Sequence, residues 1–154
     1  MKLDRTRVKS YLFVAKRNAE ELNQLIDKNE LAPDSLPLKA AKYMLIEIAE
    51  AMSNTIQHIL AKEKGVAVSG YVDTIVKGHA HGILSEALFQ KLKPFFDFRN
   101  SLIHRYWKID DRQLIENIQK GRHDFDCFID EIEAYLATKA DRVVSHEKNK
   151  PYDS

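Results

Sequence analysis

Leu88-Phe89-Gln90-Lys91-Leu92-Lys93-Pro94-Phe95-Phe96-Asp97-Phe98-Arg99-Asn100-Ser101-Leu102-Ile103-His104-Arg105-Tyr106 decides the reading of this chain. Leu88, Leu92, Phe95, Arg99, Leu102 and Tyr106 follow one another at steps of 4, 3, 4, 3 and 4 residues, which is one stripe of an α-helix. Ser85 stands in front of it as an N-cap, and Pro94 inside it is expected to kink it. The stripe contains one misfit. Arg99 occupies a position where its neighbours are apolar, and a guanidinium is costly to bury unless a carboxylate, a phosphate or a wet cleft meets it. Taken alone, the simplest reading is an arginine paired with an acid from a neighbouring helix.

Outward from this segment the same periodicity recurs. Val8, Tyr11, Ala15, Leu22 and Ile26 mark a first helix of about six turns at ~3.6 residues per turn, ending at Lys28-Asn29 ahead of Pro33. Asp34 or Ser35 caps a second helix, whose stripe is Ala41, Leu45, Ile48, Met52, Thr55 and Ile59 and which closes on lysines and Gly65. Its polar strip of Glu47, Glu50, Asn54 and His58 is a source of an acidic partner for Arg99. A short helix is expected within 71–76, between glycines. Asp110-Asp111 then opens a single last helix with Leu114, Ile118, Phe125, Phe128, Ile132 and Tyr135 facing inward. Strand alternation, repeats and low-complexity blocks are absent. The chain therefore reads as an all-α, up-and-down bundle of four to five helices, a helical domain over 1–138 followed by a polar C-terminal extension over 139–154.

Composition narrows the class. With 154 residues, 44% hydrophobic, the chain can close one real core, and five glycines and four prolines with 31% charged residues argue for helices with solvated faces. Lys+Arg at 24 against Asp+Glu at 23 excludes a polycation, so any grip on nucleic acid must be local. Such a patch exists. Between residues 91 and 112 six basic residues (Lys91, Lys93, Arg99, Arg105, Lys108, Arg112) face three acids (Asp97, Asp110, Asp111). The single cysteine, Cys127, rules out an intrachain disulfide, fits a reducing compartment, and reads as a small buried hydrophobe. The first residues mix charges without an apolar signal segment, and the most apolar run, Tyr43 to Met52, is broken by Glu47 and Glu50. A soluble, cytoplasmic protein without membrane contact is expected.

The chain carries no Gly-rich phosphate loop, no Gly-x-Ser-x-Gly elbow and no His-Glu-x-x-His helix. His79 and His81 read as loop histidines, and neither a structural metal nor a cofactor is expected. Cleavage of RNA requires none of these, because the ribose 2′-OH attacks its own phosphate once a base removes its proton and a cation stabilises the charge on phosphorus. His104 suits the base and Arg99 the phosphate contact, with Asn100, one turn before His104, placed to orient the imidazole. On a continuous helix Arg99 and Tyr106 share a face, whereas His104 is offset from Arg99 by roughly 140° at ~100° per residue. The two converge if the helix distorts or if a second copy supplies the other half, which suits a site at a homodimer interface. Of Phe95, Phe96, Phe98 and Trp107, most are expected in the core and at most one against an RNA base.

Arg-x-x-x-x-His-x-Tyr, here Arg99, His104 and Tyr106 within Phe-Arg-Asn-Ser-Leu-Ile-His-Arg-Tyr, strongly resembles the signature of HEPN-domain proteins, and within them the HepT toxins of MntA–HepT toxin–antitoxin systems. Ile46-Glu47-Ile48-Ala49-Glu50-Ala51, the segment at Tyr71, and Gly82-Ile83-Leu84 fall where that family has similar residues, so the resemblance covers most of the chain. It implies a HEPN-type helical bundle, a homodimer with two motifs facing each other, and metal-independent endoribonuclease activity carried by Arg99 and His104, on RNA and by family analogy on tRNA. It also implies a partner, a minimal nucleotidyltransferase antitoxin of the MntA kind, which transfers AMP from ATP to Tyr106 in a type VII-like toxin–antitoxin pair. AMP groups there would put phosphate beside Arg99 and fill the RNA site. Two rivals stand beside this reading: a non-catalytic helical subunit that presents substrate for a nucleotidyltransferase, and a plain interaction bundle.

Overall fold

The computed structural model describes the backbone of residues 2–148 and side chains as far as Lys139, that of Tyr106 excepted. Six α-helices follow in order: α1 (Arg5–Asp27), α2 (Leu36–Ile59), α3 (Tyr71–Ala80), α4 (Glu86–His104), α5 (Asp111–Lys120) and α6 (Asp124–Lys148). A π-helical turn, Leu60–Lys64, prolongs α2, and a 3-10 turn, Tyr106–Lys108, follows α4. Among the described residues there is no strand, and no helix is long and apolar enough to cross a membrane.

Local chemistry sets the helix ends. Asp4, Ser35, Ser85 and Asp110 are N-caps whose side-chain oxygens accept from amides two or three residues on. Gly65 ends the π turn at φ +63°, a conformation that favours glycine. Asn29 and Asp34, both at positive φ, shape the α1–α2 connection; such short polar side chains tolerate this region better than most.

The core is one cluster. Val8, Leu12, Ala15, Ala19 and Leu22 of α1 join Leu38, Ala41, Leu45, Ile48, Met52, Ile56 and Ile59 of α2, and the small alanines allow the two helices to approach closely. Leu88, Leu92, Phe96 and Leu102 of α4 and Phe125, Phe128, Ile129, Ile132 and Leu136 of α6 complete the cluster. On α3, a Cβ added to Gly78 would stand 2.8 Å from the Ile56 side chain, so α3 rests on α2 at a distance only glycine permits.

Three expectations need correction. The single last helix is two: α5 stops at Lys120, the Gly121 N–H bonds Asn117 O at 3.0 Å, and α6 starts at Asp124. Arg122 pins the turn to α1, donating from Nε to Asn23 at 3.0 Å and from a terminal nitrogen to Asp27 at 2.8 Å. Periodicity misses the break because Ile118 and Phe125 are seven residues apart, the spacing of two helical turns. Among the described residues the all-α bundle thus has six helices where four to five were expected. Cys127 is exposed rather than buried, because the inward stripe of α6 passes through Phe125, Phe128 and Ile132 and leaves it outside. The stripe of the motif helix ends at Leu102, since α4 stops at His104 and Tyr106 lies beyond it. The backbone of α6 continues to Lys148, into the expected 139–154 extension, whose last six residues lie outside the described residues.

Candidate active site

Arg99 lies on the side of α4 that faces α2 and α3, and its side chain is only 14% exposed. Each neighbouring helix gives it one partner. Glu50 of α2, half-exposed, accepts from a terminal guanidinium nitrogen at 3.5 Å, so the polar strip of the second helix does supply an acid. Tyr71, the first residue of α3, lies face-on beneath the guanidinium, with Cζ 3.8 Å from the ring centroid. Burial pushes the Tyr71 phenol above its usual range, while the Arg99 charge pulls the other way. The Arg99 Nε is buried and has no hydrogen-bond partner among the described residues.

Among the described residues no hydrogen bond joins Asn100 to His104. The Asn100 Oδ1 accepts from the other terminal nitrogen of Arg99 at 3.2 Å. The guanidinium bonds the side chain of the next residue on its own helix, and its charge strengthens that hydrogen bond.

His104 is the last residue of α4 and is exposed. The helix closes when the Arg105 N–H bonds Ser101 O at 3.0 Å, and Arg105 takes φ −137°, which turns the chain into the 3-10 segment. Asn100, Ser101, His104 and Arg105 line an open cleft of about 400 Å³. Arg99 turns toward α2 and α3 and His104 toward solvent, and among the described residues no hydrogen bond joins them. Tyr106 begins the 3-10 turn two residues after His104; its side chain lies outside the described residues.

Charge and aromatics near the cleft are unevenly arranged. Arg105, Lys108 and Arg112 are exposed, while Asp111 is engaged elsewhere: it accepts from the Asp34 amide and pairs with Lys42, both at 2.9 Å, and these contacts hold its carboxyl below the usual range. Phe96 is fully buried, Phe95 packs edge-on against Phe125 at 5.2 Å and Phe98 is half-buried, whereas Trp107 is 67% exposed. At the opposite end of α4, away from the cleft, His79 stacks on Phe89 at 4.5 Å and brings Nε2 within 2.6 Å of Glu86. Tyr71 is the site neighbour whose role the sequence left unread. An aromatic at the start of a short helix carries no signal of what it will stack on; that depends on tertiary placement.

The model of one protein family, the ribonuclease HepT-like proteins, matches residues 15–132. The chain belongs to the HepT-like family. No curated protein matches it in sequence. Its fold recurs in solved structures. YutE of Bacillus subtilis, described as a cytosolic protein of unknown function, superposes with a TM-score of 0.76 at 16% identity over 89% of this chain and 93% of YutE. A tri-AMPylated HEPN toxin of Shewanella oneidensis, solved in complex with an MNT antitoxin, gives 0.75 at 20% identity over 83% of this chain and 97% of the toxin. A toxin–antitoxin structure with AMP-PNP gives 0.73 at 19% identity over 82% and 97%. The HepT-like chain therefore has the all-α HEPN-type bundle.

Proposed function

We propose that this HepT-like chain is a toxin that cleaves RNA without a metal and is silenced by AMPylation. The observation that carries the reading is the pairing, on one helix, of a half-buried arginine with a histidine five residues later at the exposed helix end. In this reading neutral His104 takes the proton of a ribose 2′-OH. O2′ attacks the adjacent phosphorus, the bond to the 5′-oxygen breaks, and a proton delivered to that oxygen leaves a 5′-hydroxyl and a 2′,3′-cyclic phosphate. Arg99 stabilises the charge on the phosphoryl oxygens. One chain presents Arg99 and His104 in different directions, so the reading includes a homodimer in which the partner's motif completes the site and its histidine serves as the acid.

The proposed partner is a nucleotidyltransferase antitoxin of the MNT kind, as in the Shewanella complex. It would join AMP from ATP to the Tyr106 oxygen, with loss of the phenolic proton and release of pyrophosphate. Tyr106 lies in a short 3-10 turn beyond the end of α4, outside the motif helix itself.

The test is RNA cleavage in EDTA, with tRNA as the first substrate. Arg99→Ala and His104→Ala should each abolish cleavage while thermal melts stay unchanged; cleavage surviving in both sinks the reading. Incubation with ATP and the antitoxin should raise the intact mass in ~329 Da steps, the mass of an adenylyl group from its composition, and Tyr106→Phe should not shift. One observation favours the rival, a non-catalytic substrate-presenting subunit: Arg99 already has an acidic partner in Glu50, as a purely structural arginine would. Intact RNA combined with full-rate AMPylation would support that rival.

A further inference from the structure

We infer that Tyr71 and Glu50 divide the hold on Arg99 between them: the Tyr71 ring is a permanent platform for the guanidinium, and the Glu50 carboxylate is a placeholder that an RNA phosphate displaces. This rests on the reading of Arg99 as the phosphate-binding group.

The two contacts differ in kind. Tyr71 meets the face of the guanidinium at 3.8 Å and is itself half-buried at the start of a helix that cannot easily shift. Gly78 seats α3 against Ile56, Thr74 Oγ1 donates to Gly70 O at 2.7 Å, and the Asp73 carboxylate accepts from the Ser69 amide at 2.9 Å. Stacking on a face leaves the N–H edges free, since a guanidinium makes its hydrogen bonds in its own plane. Nothing about binding an anion requires the ring to leave.

Glu50 meets an edge, and weakly. Its closest oxygen is 3.5 Å from the nitrogen, at the outer limit of a hydrogen bond, and the side chain is 49% exposed. A pair of this exposure holds its partners by no more than about fivefold. A carboxylate and an RNA phosphodiester each carry one negative charge and offer the guanidinium the same oxygen geometry, so they compete for the same edge. The Nε, without a hydrogen-bond partner among the described residues, fits a resting arrangement: with Glu50 in place, the donor set of Arg99 is not fully used by them.

The two residues should then act in opposite directions. The experiment measures binding of the full chain to a fluorescein-labelled RNA with 2′-O-methyl at every position, which cannot be cut. Glu50→Gln should bind about two- to fivefold tighter. Tyr71→Leu should bind about two- to thirtyfold weaker, and Tyr71→Phe should restore what leucine loses. The ¹⁵N–¹H signal of Arg99 Nε, assigned through its loss in Arg99→Lys, should keep its ring-current shift in Glu50→Gln and lose it in Tyr71→Leu. Weaker or unchanged binding in Glu50→Gln overturns the placeholder, and Tyr71→Leu behaving like Tyr71→Phe overturns the platform. Should Tyr71→Leu fail to fold, the Glu50→Gln result and the Arg99 signal in Tyr71→Phe still decide. Arg99→Ala binding the methylated RNA as tightly as the wild type would instead remove the underlying reading of Arg99.

Discussion

The α1–α2 pair and the C-terminal end of α4 solve opposite problems with the same kind of helix. In the first, alanines and aliphatic side chains interlock along more than twenty residues of each helix, and even the buried Asn18 is satisfied, donating to Val14 O at 2.9 Å and to Glu47 at 2.8 Å. In the second, the apolar stripe gives way to a guanidinium with one orphaned donor, the helix stops at an exposed histidine, and an exposed tryptophan follows. The contrast teaches where stability and chemistry are kept apart: one half of the molecule satisfies its buried polar groups, and the other carries a buried arginine nitrogen without a partner among the described residues, on the same helix as an exposed histidine.

That separation can be broken experimentally. The largest expected effect is on activity alone: His104→Gln should lower RNA cleavage by about 10²–10⁴-fold, with urea-unfolding stability within about 0.5 kcal/mol of wild type. A stability loss of similar weight would show that the helix end also belongs to the core. Next, Phe128→Ala, at a position of 0% exposure, should cost about 3–5 kcal/mol in urea unfolding.

The third test is the pH dependence of the tie between α1 and α2. His58 accepts from the Asp4 amide at 3.0 Å, and burial together with the nearby Arg7 charge holds its pKa below the usual histidine range. The unfolded chain therefore takes the proton first. The stability that the neutral ring contributes is complete above about pH 6.5 and is lost as pH falls below it. Melts between pH 8 and 5.5 should decline in wild type and be flatter in His58→Gln. Asp73 and Asp111, both held below the usual carboxylate range, lose their contribution only in more acid solution, and Asp124, raised by burial, works in the opposite direction just above that range. The smallest effect belongs to a helix end: Asp110→Ala, which removes the acceptor for two α5 amides, should cost about 1 kcal/mol.

How far the sequence carried follows from which interactions are local. Ser35, Ser85, Asp110 and Gly65 were legible as caps because capping involves residues only a few places apart. The break at Gly121 was not, because the apolar spacing across it matches two turns of unbroken helix. Arg99 stood out as a misfit, and the acidic strip of the second helix contained its partner. The hydrogen bond from Arg99 to Asn100 was not legible, because spacing along a helix does not weigh a neighbouring charge. Cys127 was misplaced by its composition class, and the Tyr71 stack was beyond reach because it joins the start of one helix to the middle of another.

Gly78 has a reach beyond its own surroundings. It lies seven residues from Tyr71, two turns along the same helix, and lets α3 settle against Ile56 by having no side chain at all. A single methyl there would act as a wedge, tilting the whole rod and lifting the aromatic ring at its far end off the cation it supports. The tolerance of the candidate site is thus set partly by a missing carbon, about 10 Å away, at ~1.5 Å of rise per residue.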